Sequence, residues 1–143
     1  MARAEKVVVD ASVAFKWFVE EQDSGSAWRL VEDYGKGRVD IISLELLPFE
    51  VLNALRYAPD IGLEDLKTAA LSLGKLGLDL RPLEGGLSLR CVENALRFGV
   101  SVYDSAYLSL GELDDVPVYT ADLKLIRKVG VGVLKPISSY EAS

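Results

Sequence analysis

Four carboxylates stand where an amphipathic chain has little obvious use for them. Asp10 directly follows the valine run Val7 to Val9, Glu50 interrupts LLPFEVLNAL, Asp104 lies between SVY and SAYLSL, and Asp122 heads DLKLIRK just after VPVYT. Each has a plain structural reading. Asp10 or Ser12 can cap a helix beginning near Val13, and Asp122 can cap the helix it opens, by accepting hydrogen bonds from free N–H groups. Ser101 and Asp104 have the spacing of a capping box, and Glu50 aligns with Asn53 and Tyr57 along one helical stripe. Three of the acids nevertheless fall at strand ends or helix starts and could converge on one edge of a sheet. Two carboxylates ~5 Å apart repel by about 3 kcal/mol at an effective dielectric near 20, so such a cluster needs protons or cations. Oxygen ligands without Cys or His favour Mg²⁺ or Mn²⁺ over zinc or copper. A divalent ion can lower the pKa of a water, orient it in line with a phosphorus and stabilise charge on a leaving oxygen.

Composition narrows the alternatives. Histidine is absent and Cys91 is the lone cysteine, which removes Ser-His and Cys-His nucleophile pairs, a disulfide framework and a zinc set. Cys91 falls in a helical pattern and is expected to be a small buried side chain. The chain has 143 residues, 50% of them hydrophobic and 27% charged, which fits one folded domain spanning 1–143. No apolar run approaches the roughly 18 residues of a membrane span. MARAEK leads into a charged, structured segment rather than a signal peptide, so a cytoplasmic protein without membrane contact is expected. A net charge of −6 argues against a nucleic-acid partner unless a basic patch or bound cations reverse it locally. Lys16, six residues after Asp10, and Lys124, Arg127 and Lys128, after Asp122, could steer a phosphate backbone. The plainer reading of each is a solvated cation.

The elements that must position these residues alternate. The uninterrupted β-branched Val7 to Val9 suits a strand covered on both faces, with Asp10 at its carboxyl end, the edge where open α/β sheets bind ligands. Helices are expected over Ser12–Glu20, with Val13, Phe15, Trp17 and Phe18 apolar, and over Ser26–Tyr34, with Trp28, Leu30 and Val31 inward and Gly35 and Gly37 ending it. Arg38–Ser43 reads as a second strand. LELLPFEVLNALRYA is helical, with Leu47, Val51, Ala54 and Leu55 on one face, Pro48 in its first turn and a stop before Pro59. Leu63–Leu76 carries Leu66, Ala69, Ala70, Leu73 and Leu76 on one stripe, closing a helical hairpin over Ala54–Leu76. Leu78–Leu83 is an edge-type strand because of Pro82. Helices over Leu87–Phe98, closed by Gly99, and Tyr103–Leu113 precede the strand VPVYT, the short helix DLKLIRK, the strand VGVLK and a loose polar tail, SSYEAS. The alternation predicts an α/β fold with a parallel sheet between helical layers.

In order and separation, VVVDAS, PFEVLNAL, SVYDSAYLSL and VYTADLKL resemble the PIN-domain family, and within it the VapC-like toxins of toxin–antitoxin pairs. The resemblance covers nearly the whole chain and implies a three-layer α/β/α domain with a central, mainly parallel sheet. Position by position it makes Asp10, Glu50, Asp104 and Asp122 the acidic metal-binding and catalytic quartet, with Ser12 and Thr120 as polar supports. Asp10 and Asp104 match the least variable positions. Many members have an additional acid near the fourth position, whereas Asp122 is followed by Leu-Lys-Leu, which leaves one or two metals open. The implied activity is a Mg²⁺- or Mn²⁺-dependent endoribonuclease that leaves a 5′-phosphate and a 3′-hydroxyl, with a cognate antitoxin and homodimerisation. An RNA-processing nuclease without a toxin role, or a non-catalytic binding module of the same fold, is the alternative. A phosphatase of the haloacid-dehalogenase type is disfavoured, since it expects a second Asp where Ser12 stands.

The hairpin carries more apolar residues than one stripe requires. Leu71 and Leu78 are left over, beside Leu52 and Leu55 of the neighbouring helix, and are expected to belong to a partner groove or dimer contact; the other reading is a packed core helix.

Overall fold

The computed structural model describes residues 4–130 and 132–141. Its centre is a five-stranded, wholly parallel sheet in the order β3-β2-β1-β4-β5, formed by β1 (Glu5–Val9), β2 (Val39–Leu44), β3 (Asp79–Arg81), β4 (Val118–Thr120) and β5 (Leu134–Pro136). The helices are α1 (Ala11–Phe15), α2 (Ser24–Gly35), α3 (Leu47–Tyr57), α4 (Leu63–Lys75), α5 (Gly85–Phe98), α6 (Val102–Asp114) and α7 (Leu123–Val129). The chain winds outward from β1 through β2 to β3, then crosses back to β4 on the other side of β1. With right-handed crossovers, α1 to α4 fall on one face and α5 to α7 on the other.

The two central strands explain the valine run: Val7, Val8 and Val9 are 3%, 0% and 0% exposed, and β1 pairs with both β2 and β4. Burying each such side chain contributes about 1.5–3 kcal/mol. On β2, Ile41, Ile42 and Leu44 are likewise buried. β3, the strand ending before Pro82, is an edge as its proline requires. Helix α6 is buried on every side from Ser105 to Gly111, because it lies against β1, β2 and β4 and is covered by α5. Its polar atoms inside that layer are satisfied: Ser105 Oγ donates to the Cys91 carbonyl at 2.6 Å, and Asn94 Nδ2 donates to Ser109 Oγ at 3.0 Å. Cys91 is buried, as expected.

Several boundaries differ from the sequence reading. α1 stops at Phe15 rather than Glu20, because Lys16 and Trp17 turn away to bond Glu21, Gln22 and the Ala27 carbonyl. Trp28 is 40% exposed rather than inward, while Leu30 fills the core. On the hairpin helices Leu47, Val51, Leu55, Ala69 and Leu73 are buried, but Ala54 and Ala70 are exposed. Leu71 is 66% exposed, which rules out a core position for it, and Leu78 is half-buried. The fourth strand begins at Val118, past Pro117, and the fifth at Leu134; Val131, where the last strand was expected to begin, lies outside the described residues. The tail is not loose as far as Tyr140. Ile137–Ser139 form a 3₁₀ turn, and Tyr140 is buried, packs edge-on against Tyr119 and donates its hydroxyl to Asp33 Oδ2 at 2.6 Å. Ala142 and Ser143 lie outside the described residues, as does the start Met1 to Arg3.

Candidate functional site

The order of the strands creates one topological switch point, between β1 and β4, and in open parallel sheets the crevice beyond the carboxyl ends at that point is the usual binding site. Asp10 follows β1 and Asp122 follows β4, so they flank it. Asp10 is the N-cap of α1. Its Oδ1 accepts from Ser12 Oγ at 2.6 Å, from the Ser12 N–H at 3.1 Å and from the Val13 N–H at 3.3 Å. Ser12 Oγ in turn lies 3.3 Å from Thr120 Oγ1 and accepts from the Ala121 N–H at 2.8 Å, which ties the end of β1 to the end of β4. Thr120 Oγ1 accepts from the Asp122 N–H, and Asp122 Oδ1 caps α7 through the Leu125 N–H at 3.0 Å. The expected supports Ser12 and Thr120 are therefore the bridge between the two loops.

Glu50, on α3, is held differently. Asn53 and Tyr57, its expected companions on a polar stripe, face solvent, whereas Glu50 is half-buried and accepts from the Tyr107 hydroxyl at 2.7 Å through Oε1. Tyr107 was not singled out from the sequence. The available signal was its place one helical turn after Asp104, which sets its hydroxyl on the same side of the helix as that acid. Asp104 sits in the first turn of α6, where Ser101 caps the helix by accepting from the Asp104 N–H at 3.0 Å. The reciprocal bond from the Ser101 N–H to the Asp104 carboxylate, which would complete a capping box, is not formed.

The electrostatics join the four acids. Burial pushes the Asp10 carboxyl up to about 6, against the Ser12 and Thr120 hydroxyls and the Val13 N–H, with a further push from Asp104. Burial also raises Glu50, opposed by the Tyr107 hydrogen bond and reinforced by Asp104. Asp104 is raised by burial and then by Asp122, partly offset by Ser101 and Lys128. Asp104 is thus the common neighbour whose charge each of the others feels or supplies. Desolvated, mutually repelling carboxylates with no Cys or His beside them are a donor set that suits a hard divalent cation. Among the described residues no group of three or more such side chains is gathered tightly enough to enclose an ion already. The donor chemistry therefore fits Mg²⁺ or Mn²⁺, while closing on the ion would require the side chains to draw together.

An open cleft of about 510 Å³ runs past this site, with Ser12, Lys16, Glu21, Glu50 and Asp122 among its walls. Asp10 lies behind it, bonded to Ser12, and neither Asp10 nor Asp104 is a lining residue. Of the candidate cations, Lys124, Arg127 and Lys128 are exposed, but Lys16 is not the solvated side chain its plain reading implied: it is 6% exposed and paired with Glu21 at 2.9 Å.

No protein-family model and no curated protein matches the sequence. Solved structures do. PAE2754 from Pyrobaculum aerophilum superposes with a TM-score of 0.65 at 21% identity, over 95% of this chain and 93% of that one. A toxin–antitoxin complex from Klebsiella pneumoniae gives 0.65 at 14% identity, over 95% and 99%. VapBC2 from Rickettsia felis, in a structure bound to a DNA fragment from its promoter, gives 0.66 at 12% identity, over 92% and 98%. At these identities the likeness is one of fold, over 92–95% of this chain. The fold is that of the VapC-like PIN-domain proteins.

Proposed function

We propose that this protein is a Mg²⁺- or Mn²⁺-dependent endoribonuclease and the toxin of a toxin–antitoxin pair. The observation that carries the reading is the electrostatic grouping of Asp10, Glu50, Asp104 and Asp122 around the switch point of the sheet, beside an open cleft. These four side chains would hold the cation, which when bound supplies an acidified water and neutralises charge on the phosphodiester. The protein's own contribution is positional. Ser12 fixes the Asp10 rotamer, Tyr107 fixes Glu50, and the Ser12–Thr120 contact holds the loops after β1 and β4 together. Each fixed carboxylate uses one named oxygen for these bonds, Oδ1 of Asp10, Oε1 of Glu50 and Oδ1 of Asp122, so capping a helix and ligating a cation are compatible.

The antitoxin and a second copy of the chain are proposed partners. An apolar groove of about 300 Å³, with Leu46, Phe49, Leu83, Val102 and Tyr103 among its walls, opens beside the first turn of α6 and suits an apolar protein segment. It lies between α3, the end of β3 and α6, and neither Leu71 nor Leu78 is among its walls. The test is cleavage of single-stranded RNA by contaminant-free protein. Cutting should require Mg²⁺ or Mn²⁺, stop with EDTA and return when the metal is restored in excess; undiminished cutting in EDTA would remove the metal mechanism.

A further inference from the structure

Lys16 is the only Lys or Arg side chain buried among the described residues, at 6% exposure. A buried ammonium is costly unless paired, and its pairing here is lopsided. Its side chain is 7% exposed, while the Glu21 carboxylate it meets at 2.9 Å is 40% exposed. Glu21 can therefore swing into solvent while the ammonium stays in place. Its second acceptor is the Gln22 carbonyl, so one of the three ammonium donors is not spent on these two partners.

The location matters as much as the pairing. Lys16 lines the acid-walled cleft and also a second concavity of about 220 Å³ with Gln22, Thr120 and Ser138 among its walls. Lys16 and Ala121 belong to both, so the two clefts meet at them. A strand lying in the first cleft and continuing into the second must pass the Lys16 ammonium. That strand also needs a cation there, since the first cleft's other charged walls, Glu21, Glu50 and Asp122, are acidic and the net charge is −6.

Building on the endoribonuclease reading, we propose that Lys16 is a phosphate contact for the RNA strand where the two clefts meet, and that Glu21 is its resident stand-in: an incoming phosphate displaces the Glu21 carboxylate from the ammonium. Phosphate oxygens accept the same charge-assisted hydrogen bonds as a carboxylate, so the exchange leaves no buried charge unpaired.

The experiment measures binding of a short fluorescent single-stranded RNA by anisotropy over a range of salt. The full chain carries Asp104→Asn so that the strand is not cut, and Mg²⁺ is present. Lys16→Met should weaken binding roughly tenfold and make the plot of log K against log salt shallower by about 0.7, the loss of one phosphate contact on a single strand. Lys16→Arg should restore most of both. Glu21→Gln should tighten binding when Lys16 is present and have no effect beside Lys16→Met. Thermal melting checks that each variant is folded; should Lys16→Met not fold, the Glu21→Gln response and the Lys16→Arg slope still decide. Unchanged affinity and slope in folded Lys16→Met, or equal tightening by Glu21→Gln with and without Lys16, would overturn the contact while leaving the nuclease reading standing. No RNA binding by the protein with Lys16 intact would overturn both. A Glu-rich peptide that binds through Lys16 while RNA binding ignores it would assign the ammonium to a protein partner and sink the proposal.

Discussion

Asp104 is the acid whose charge can be removed with the least structural consequence. Its helix is capped by Ser101 through the Asp104 backbone N–H, a bond that Asp104→Asn leaves untouched. The carboxylate itself is held above its ordinary range by burial and by repulsion from Asp122. A neutral amide of nearly the same shape relieves both. Asp104→Asn is therefore expected to abolish RNA cleavage while melting at or slightly above wild type in EDTA, by a few tenths to about 1 kcal/mol, because the half-exposed site is partly screened. Cleavage at the wild-type rate would reduce Asp104 to a structural acid. Asp10 and Asp122 make the opposite case. Their carboxylates do cap α1 and α7, so replacing either disturbs a helix start as well as the proposed site.

Among the elements, what could be read from the sequence was whatever depends on near neighbours. The β-branched run gave β1, Pro82 marked β3 as an edge, and Gly99, at φ 65°, ends α5 in the left-handed conformation glycine allows. The four acids stood out as candidates because each breaks a local pattern. Contacts between distant residues were not legible. Tyr140 looked like loose tail because Asp33 is 107 residues away, and Tyr107 was passed over because Glu50 is 57 residues away. A near contact escaped too where it depends on an irregular turn: Lys16 looked solvated because periodicity does not show the chain folding back to place Glu21 and Gln22 on its ammonium. Gly111 gave no signal at all, yet it sets how closely α6 approaches the sheet. A Cβ there would collide with the Val118 side chain and come within 3.0 Å of the Val116 carbonyl oxygen. Ala gains about 1 kcal/mol in helix propensity over Gly, but it overpacks a helix buried on every side. Gly111→Ala is expected to destabilise the protein by about 1–3 kcal/mol in urea denaturation. Wild-type stability in that variant would mean that α6 and β4 sit farther apart than this packing.

For the whole molecule, the buried acids make the metal-free fold more stable in mild acid than at neutral pH. Asp10 titrates at about 6 in the folded chain, against 3.8 as its reference value. Between those values the folded state binds more protons than the unfolded one, so stability falls as pH rises through the window and is flat above it. The relation gives about 1–1.5 kcal/mol for Asp10 alone between pH 5 and pH 7. Glu50 and Asp104, also raised, add to it with the same sign. The opposing group is Asp79, whose carboxyl is lowered by its hydrogen bond to Arg81; that pair is largely exposed, and its stabilisation is lost only at lower pH, as the carboxyl protonates. Global charge works with the buried acids, because the net charge of −6 at pH 7 shrinks as pH falls toward the pI near 4.7, easing self-repulsion. Urea denaturation in EDTA should therefore give a higher midpoint at pH 5 than at pH 7.5. Asp10→Asn should flatten much of the difference while keeping an oxygen to accept from Ser12 and Val13. A wild-type midpoint that rises from pH 5 to pH 7.5, or a pH dependence unchanged in Asp10→Asn, would show that the Asp10 carboxyl is not held protonated by its burial beside the cleft.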